Sequence, residues 1–223
     1  MEECLTQIRR SLPQGLAACR IAVLALIWAL GPAAAQDPGE VGVTLGVSTL
    51  GPTVEGSYRI SDRLGVRVPV GYLGTDLDES EDGIDYDLDL TIGGVGLLAD
   101  YYPGLGGLRV SGGAFLGQYE ADGGGRGSGR IGGTDYTNVD MALDVHARNR
   151  VMPALSLGYD GTLGRRWLLS ADLGAMYTGG FDVNLTDRTG QVSQSDLDAE
   201  ISDLESDIPD FLPYVKLSVG FRF

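Results

Sequence analysis

VKLSVGFRF, residues 215–223, puts Val215, Leu217, Val219, Phe221 and Phe223 on one face and Lys216, Ser218, Gly220 and Arg222 on the other. A period of two belongs to an extended strand, whose successive side chains point to opposite faces. One face is apolar and the other polar, so the strand separates two media. The same alternation runs from Trp167 to Thr186, broken on the polar face only by Leu168 and Met176.

Counting back from the C-terminus gives eight such runs: 41–49, 52–60, 65–74, 84–102, 108–120, 144–159, 167–186 and 212–223. Short turns are expected at 61–64, 103–107 and 160–166, and long loops at 75–83, 121–140 and 187–211. Turns short on one side and loops long on the other are the pattern of a membrane β-barrel. Between the first two runs Leu50-Gly51-Pro52 has to serve as the connection; otherwise 41–60 is one long strand.

Alternation alone does not say which face points inward, because a soluble periplasmic barrel alternates with its apolar face inside. Aromatic placement separates the two. Tyr58, Tyr102, Tyr159, Trp167 and Phe221 lie near the short turns, and Tyr72, Tyr86, Tyr177 and Phe181 toward the long loops. Two aromatic belts are expected where amphipathic rings meet lipid headgroups. The polar face then lines a lumen. A charge network of Glu55, Arg59, Arg67, Arg109, Arg148, Arg150, Asp172 and Lys216 is expected there, with Asp85, Asp87, Asp89, His146, Asp182 and Arg222 on the same face. Eight strands enclose a space just wide enough for side chains to fill, and buried charges of both signs should pair and plug it.

The N-terminus supplies the route. Arg9, Arg10 and Arg20, the apolar run 21–30, then Gly31-Pro32 and three alanines read as a signal peptide over 1–35, leaving a barrel domain over 36–223. Cys4 and Cys19 both lie in that segment, so the mature chain has no disulfide, zinc site or thiol nucleophile. The chain has 31 acidic and 16 basic residues, Lys216 being the one lysine, and a formal charge of -15. Such a charge excludes nucleic acid as a partner. The 35 glycines fit strands that bend around a narrow barrel.

On these features the chain resembles the small bacterial outer-membrane β-barrel proteins of the OmpA/OmpX type. The resemblance implies an eight-stranded antiparallel up-and-down transmembrane barrel in the outer membrane and a monomer. Outer-membrane lipid, lipopolysaccharide and the assembly machinery are the implied partners. It also implies that Leu217, Val219, Phe221 and Phe223 form the closing-strand signal that the machinery reads. It names no activity. The expected role is structural, adhesive or ligand-binding with a plugged lumen; a small cation-preferring porin and a hydrolase active at the rim are the alternatives.

Three constellations bear on chemistry. Asp78, Ser80, Asp82 and Asp89 fall on oxygen-ligand positions of a calcium loop, with Gly83 at the turn, although Asp85 stands where an apolar residue belongs. No other cofactor is expected. His146, the single histidine, has Asp144 two residues before it on the same face, the pair a rim hydrolase would use as a base. Within 195–211, Leu197, Ile201, Leu204 and Ile208 recur at helical spacing and Pro209 ends the pattern, so a short amphipathic acidic helix is expected to cap the mouth. The glycine-rich run 123–133 lacks the Gly-Lys-Ser/Thr ending and following helix of a phosphate loop and is expected as outer loop.

Overall fold

Alternating sequence becomes strand almost everywhere. In the computed structural model, which describes residues 38–223 apart from 82, 83, 164 and 165, ten strands run in chain order. They are β1 (Val41–Ser48), β2 (Gly51–Arg59), β3 (Leu64–Glu81), β4 (Ile84–Tyr101), β5 (Leu108–Ile131), β6 (Thr134–Ala147), β7 (Val151–Leu163), β8 (Trp167–Tyr177), β9 (Phe181–Asp187) and β10 (Phe211–Arg222). One helix, α1 (Gln194–Asp207), precedes β10. The expected signal segment lies outside the described residues.

Every pairing is antiparallel. β1, β2, β3, β4, β5, β7, β8 and β10 pair in that order, and β10 returns to β1 with Gly42 opposite Arg222 and Ser48 opposite Lys216, closing a ring of eight. β5 changes partner along its length. Leu108–Leu116 pairs with β7, Glu120–Ile131 pairs with β6, and β6 in turn pairs with β9. The upper halves of β3, β4 and β5 with β6 and β9 therefore form a five-stranded sheet standing above the ring.

One open expectation is settled and others change. Region 41–60 is two strands, as the runs 41–49 and 52–60 predict, and not one long strand; Ser48 stands opposite Gly51. The stretches 75–81 and 121–131, expected as loop, continue β3 and β5; their acidic and glycine-rich sequence hides the alternation that marks a strand. The run 144–159 is broken at 148–150 and the run 167–186 at 178–180. Gly179 and Gly180 at the second break have φ of +75° and +93°, which side-chain-bearing residues rarely adopt, and the break lets β9 leave the ring for β6. The helix forms as the apolar spacing predicts. Ser193 Oγ caps it by accepting from Asp196 N at 3.2 Å, and Ile208, just before Pro209, ends it.

Around the ring the outward residues are apolar: Leu45, Val70, Leu97, Leu155, Leu173 and Val219 are all exposed, while Lys216 between Val215 and Leu217 is fully buried. In water this arrangement is upside down; beside lipid it satisfies both faces. Aromatic residues bound the apolar band. Tyr58, Tyr101, Trp167 and Phe221 face out near the short turns, and Tyr72, Tyr177 and Phe211 at the other end. Trp167 and Phe221 stack with centroids 4.0 Å apart, as do Tyr177 and Phe211 at 5.0 Å. Tyr102 and Phe181, expected outward, are buried. Tyr102 faces the interior because its neighbour Tyr101 takes the outward position, and Phe181 because the break at Gly179–Gly180 resets the alternation.

Candidate functional site

Each ring strand except β1 sends an ionised side chain to one level of the interior. Asp172 of β8 is the hub: Arg109 Nη2 of β5 donates to it at 2.7 Å, Arg67 Nη1 of β3 at 3.1 Å, and Lys216 Nζ of β10 lies 3.1 Å away. Arg67 also donates to Glu55 of β2 at 2.9 Å, to Asp100 of β4 at 2.7 Å and to Ser111 at 3.0 Å, so its whole guanidinium is engaged. Lys216 pairs with Glu55, and Arg109 with Asp160 of β7. Arg59 lies nearer the turns. Its guanidinium sits 3.3 Å over the Tyr102 ring, donates to the carbonyls of Ser61 and Asp62, and leaves Tyr102 Oη to donate to Asp160 at 2.8 Å. Four cations thus face four carboxylates. Isolated charges in such a space would be costly, whereas cross-strand pairs hold the ring at fixed diameter.

Above this lattice the interior turns apolar. Leu50, Leu98, Phe115, Met152, Met176 and Tyr214 pack together with at most 2% of any of them exposed, and the Phe115 and Tyr214 rings lie 5.1 Å apart.

Still higher, the sheet inverts its polarity without any slip in register. On β4 the outward positions Val95, Leu97 and Tyr101 continue upward as Asp89 and Asp87, while the inward position of Asp100 continues as Ile92, Leu90 and Leu88. Asp76, Asp89, Asp122, Asp144 and Asn184 stand directly opposite one another across β3, β4, β5, β6 and β9. This line of four carboxylates covers the outer face. Neighbouring carboxylates shift one another: the hydrogen bond with Asp76 raises Asp89 above its ordinary value, and that with Asp144 raises Asp122. Asp144 is lowered, first by the Asn184 amide, which donates to it at 3.0 Å.

The inward face of this sheet is apolar and α1 covers it. Leu197 packs with Ile131, Val139 and Val192, and Ile208 reaches the apolar layer of the ring. Glu200 accepts from Gly132 N at 2.9 Å, and Glu205 accepts from Arg148 and from Val183 N, each at 3.3 Å.

Of the expected network, Glu55, Arg67, Arg109, Asp172 and Lys216 come together, and Arg59 joins through Tyr102. Arg148 and Arg150 do not. Both sit in the break after β6, where Arg148 is half exposed and donates to Asp182 at 2.7 Å and Arg150 is exposed. Asp89 and Asp87 face outward, not into the lumen. Asp100 and Asp160 are lattice members that sequence reading misses; the parity of Asp100 against Val95, Leu97 and Tyr101 is the signal that would have found it, while Asp160 looks like turn.

The expected calcium-loop positions lie on a β-hairpin, with Asp78 opposite Asp87 and Asp76 opposite Asp89, and Asp82 lies outside the described residues. Among the described residues no three His, Asp or Glu side chains are grouped to hold a metal. His146 lies on the outer sheet, half exposed, with Nδ1 3.3 Å from Asp144 and Nε2 3.7 Å from Asp182. Leu217, Val219 and Phe221 of β10, and Phe223 just after it, are all exposed on the outward side.

An apolar outer band, aromatic belts and a charged interior define an outer-membrane β-barrel fold. Comparison with solved structures agrees. CarO2 of Acinetobacter baumannii is similar at 22% identity and a TM-score of 0.65 over 84% of this chain and 100% of that one. CarO of the same organism is similar at 25% identity and a TM-score of 0.58 over 83% and 98%. Both are bacterial outer-membrane β-barrel proteins. No protein-family model matches the sequence, and no curated protein matches it.

Proposed function

We propose that the chain is an exported, monomeric outer-membrane protein with eight membrane-crossing strands, a lumen closed to ions, and an acidic outer sheet that serves adhesion or ligand binding. The observation that carries this reading is the stacking of two different closures in one narrow interior: an ion-pair lattice joining seven strands, and above it a layer of fully buried apolar side chains. An open cation pore needs a continuous polar path, and the apolar layer interrupts it. The outer sheet is the part with area and charge to spare for a partner. Beside anionic lipopolysaccharide its carboxylates are expected to be bridged to lipid phosphates by divalent cations, and the outward closing strand ending at Phe223 is expected to be the segment the assembly machinery reads.

Planar-bilayer recording of the purified protein tests the closed lumen. No steady ohmic steps are expected, and regular steps would refute it. Binding to lipopolysaccharide-containing vesicles should require millimolar magnesium or calcium and should weaken when Asp89 and Asp122 are both changed to Asn.

A further inference from the structure

Below the ion-pair lattice, toward the short turns, the interior leaves a small cavity with room for about one water. It is lined by the polar side chains of Thr44, Glu55, Ser57, Arg67, Asp160 and Ser170, with Leu168 as its apolar wall. Thr44 of β1 faces inward, 3% exposed, and its hydroxyl has no protein partner. A buried hydroxyl without a partner is costly, and both the guanidinium and the carboxylates around it are suited to water. Solvent contact also has a direction. At the turn end Asp160, Arg222 and Glu40 keep 18%, 14% and 22% of their side chains exposed beside the buried pair of Arg59 and Tyr102, whereas Phe115, Met152 and Met176 in the layer above keep none.

We infer that the lumen is a blind vestibule: water and water-sized polar solutes enter it from the short-turn side, reach the Thr44 hydroxyl and the underside of the lattice, and are stopped there by the lattice and the apolar layer. In the outer membrane the short-turn side faces the periplasm. The inference rests on the closed-lumen reading and adds an access direction to it.

The expected mature chain contains no cysteine, so a single introduced thiol reports access. Ser57→Cys lines the vestibule, Asn184→Cys lies on the outer sheet, and Leu45→Cys faces lipid. Each is reconstituted in vesicles whose orientation is read by protease cleavage of the outer segments. Silver ion, small and membrane-impermeant, is then added to one side with excess free cysteine on the other, and the thiol left over is counted with a maleimide after unfolding. The thiol of Ser57→Cys should be blocked from the short-turn side alone, that of Asn184→Cys from the opposite side alone, and that of Leu45→Cys from neither. Blocking of Ser57→Cys from the outer-sheet side, or from neither side, overturns the vestibule. Thr44→Cys serves the same purpose if Ser57→Cys does not fold. Steady conductance by the unmodified protein would instead remove the closed-lumen reading, so the two failures are distinguishable.

Discussion

Lys216 of β10 and Glu55 of β2 pair across β1, the strand that lies between them in the ring. β1 is thereby fixed by its neighbours' ion pair as well as by its own hydrogen-bond ladders. Changing Lys216 to Met leaves Glu55 and Asp172, both buried, with one cation fewer. Removing one partner of a buried pair costs about 3–5 kcal/mol, much of it from the charge left behind. Urea unfolding in detergent, followed through Trp167 fluorescence, should show that loss for Lys216→Met. Lys216→Met/Glu55→Gln should lose less than the two single changes together, because they share one interaction. Simple additivity would show that the pair across β1 does not couple the strands.

The seam between β1 and β10 depends on close backbone approach. A Cβ on Gly46 would lie 2.1 Å from the Leu217 carbonyl oxygen, and one on Gly220 1.9 Å from that of Val43. Backbone cannot rotate away as a side chain can, so the strands would have to part. Gly46→Ala and Gly220→Ala are each expected to destabilise the ring by about 1–3 kcal/mol, the usual range for overpacking. Gly56→Ala, where a Cβ meets nothing within 4 Å, is the control and should leave the urea midpoint unchanged.

Carboxylates directly opposite one another on paired strands repel, and the line Asp76, Asp89, Asp122 and Asp144 repeats that conflict across four strands. The sign of the pH effect follows. Asp89 and Asp122 bind protons more tightly in the folded sheet than in the unfolded chain, so their contribution disfavours the fold at neutral pH and is relieved as pH falls through the raised values. Amide exchange in β5 and β6, corrected for the intrinsic rate, should slow on mild acidification. Asp122→Asn should slow it already at pH 7 and flatten the pH dependence. Exchange that speeds up on mild acidification would show that the carboxylates are better off ionised.

The ring was legible in the sequence because lipid and lumen impose opposite polarity on alternate residues, and VKLSVGFRF obeys that rule at every position. The outer sheet was not. Above the apolar band water lies outside and packed α1 inside, so the meaning of the two faces is exchanged while the strand continues. Asp87 and Asp89 carry lumen polarity at outward positions, and Leu88 and Leu90 the reverse. Arg148 and Arg150 were misplaced for a different reason. The break between β6 and β7 occupies three residues and carries no proline or glycine to announce it. The lattice lay between these cases: polarity marked Glu55, Arg67, Asp172 and Lys216, but which residues meet across the ring is set by strand order and stagger, which no local pattern encodes.

Asp187 sets the opposite pH limit. At the end of β9 its carboxylate accepts from Thr189 Oγ1 at 2.6 Å and from the backbone N–H groups of Thr189, Gln191 and Val192 at 2.8, 2.6 and 2.8 Å. These bonds, led by the Thr189 hydroxyl, hold its pKa at about 2 against an ordinary 3.8. A depressed carboxylate contributes stability that is fully present above the ordinary value and is lost as pH falls toward the depressed one. The segment leading into α1 should therefore stay ordered through the mildly acidic range in which the carboxylate line relaxes, and loosen only below about pH 4. Its lock is also testable at neutral pH. Asp187→Asn removes the charge from a cluster of four donors, and trypsin should then cut after the neighbouring, exposed Arg188 several-fold faster, with no change in the urea midpoint of the ring. Ser193→Ala, which removes the α1 cap at a cost of about 1 kcal/mol, should act in the same direction. Unchanged cleavage in both variants would mean that neither the Asp187 lock nor the cap limits opening of this segment.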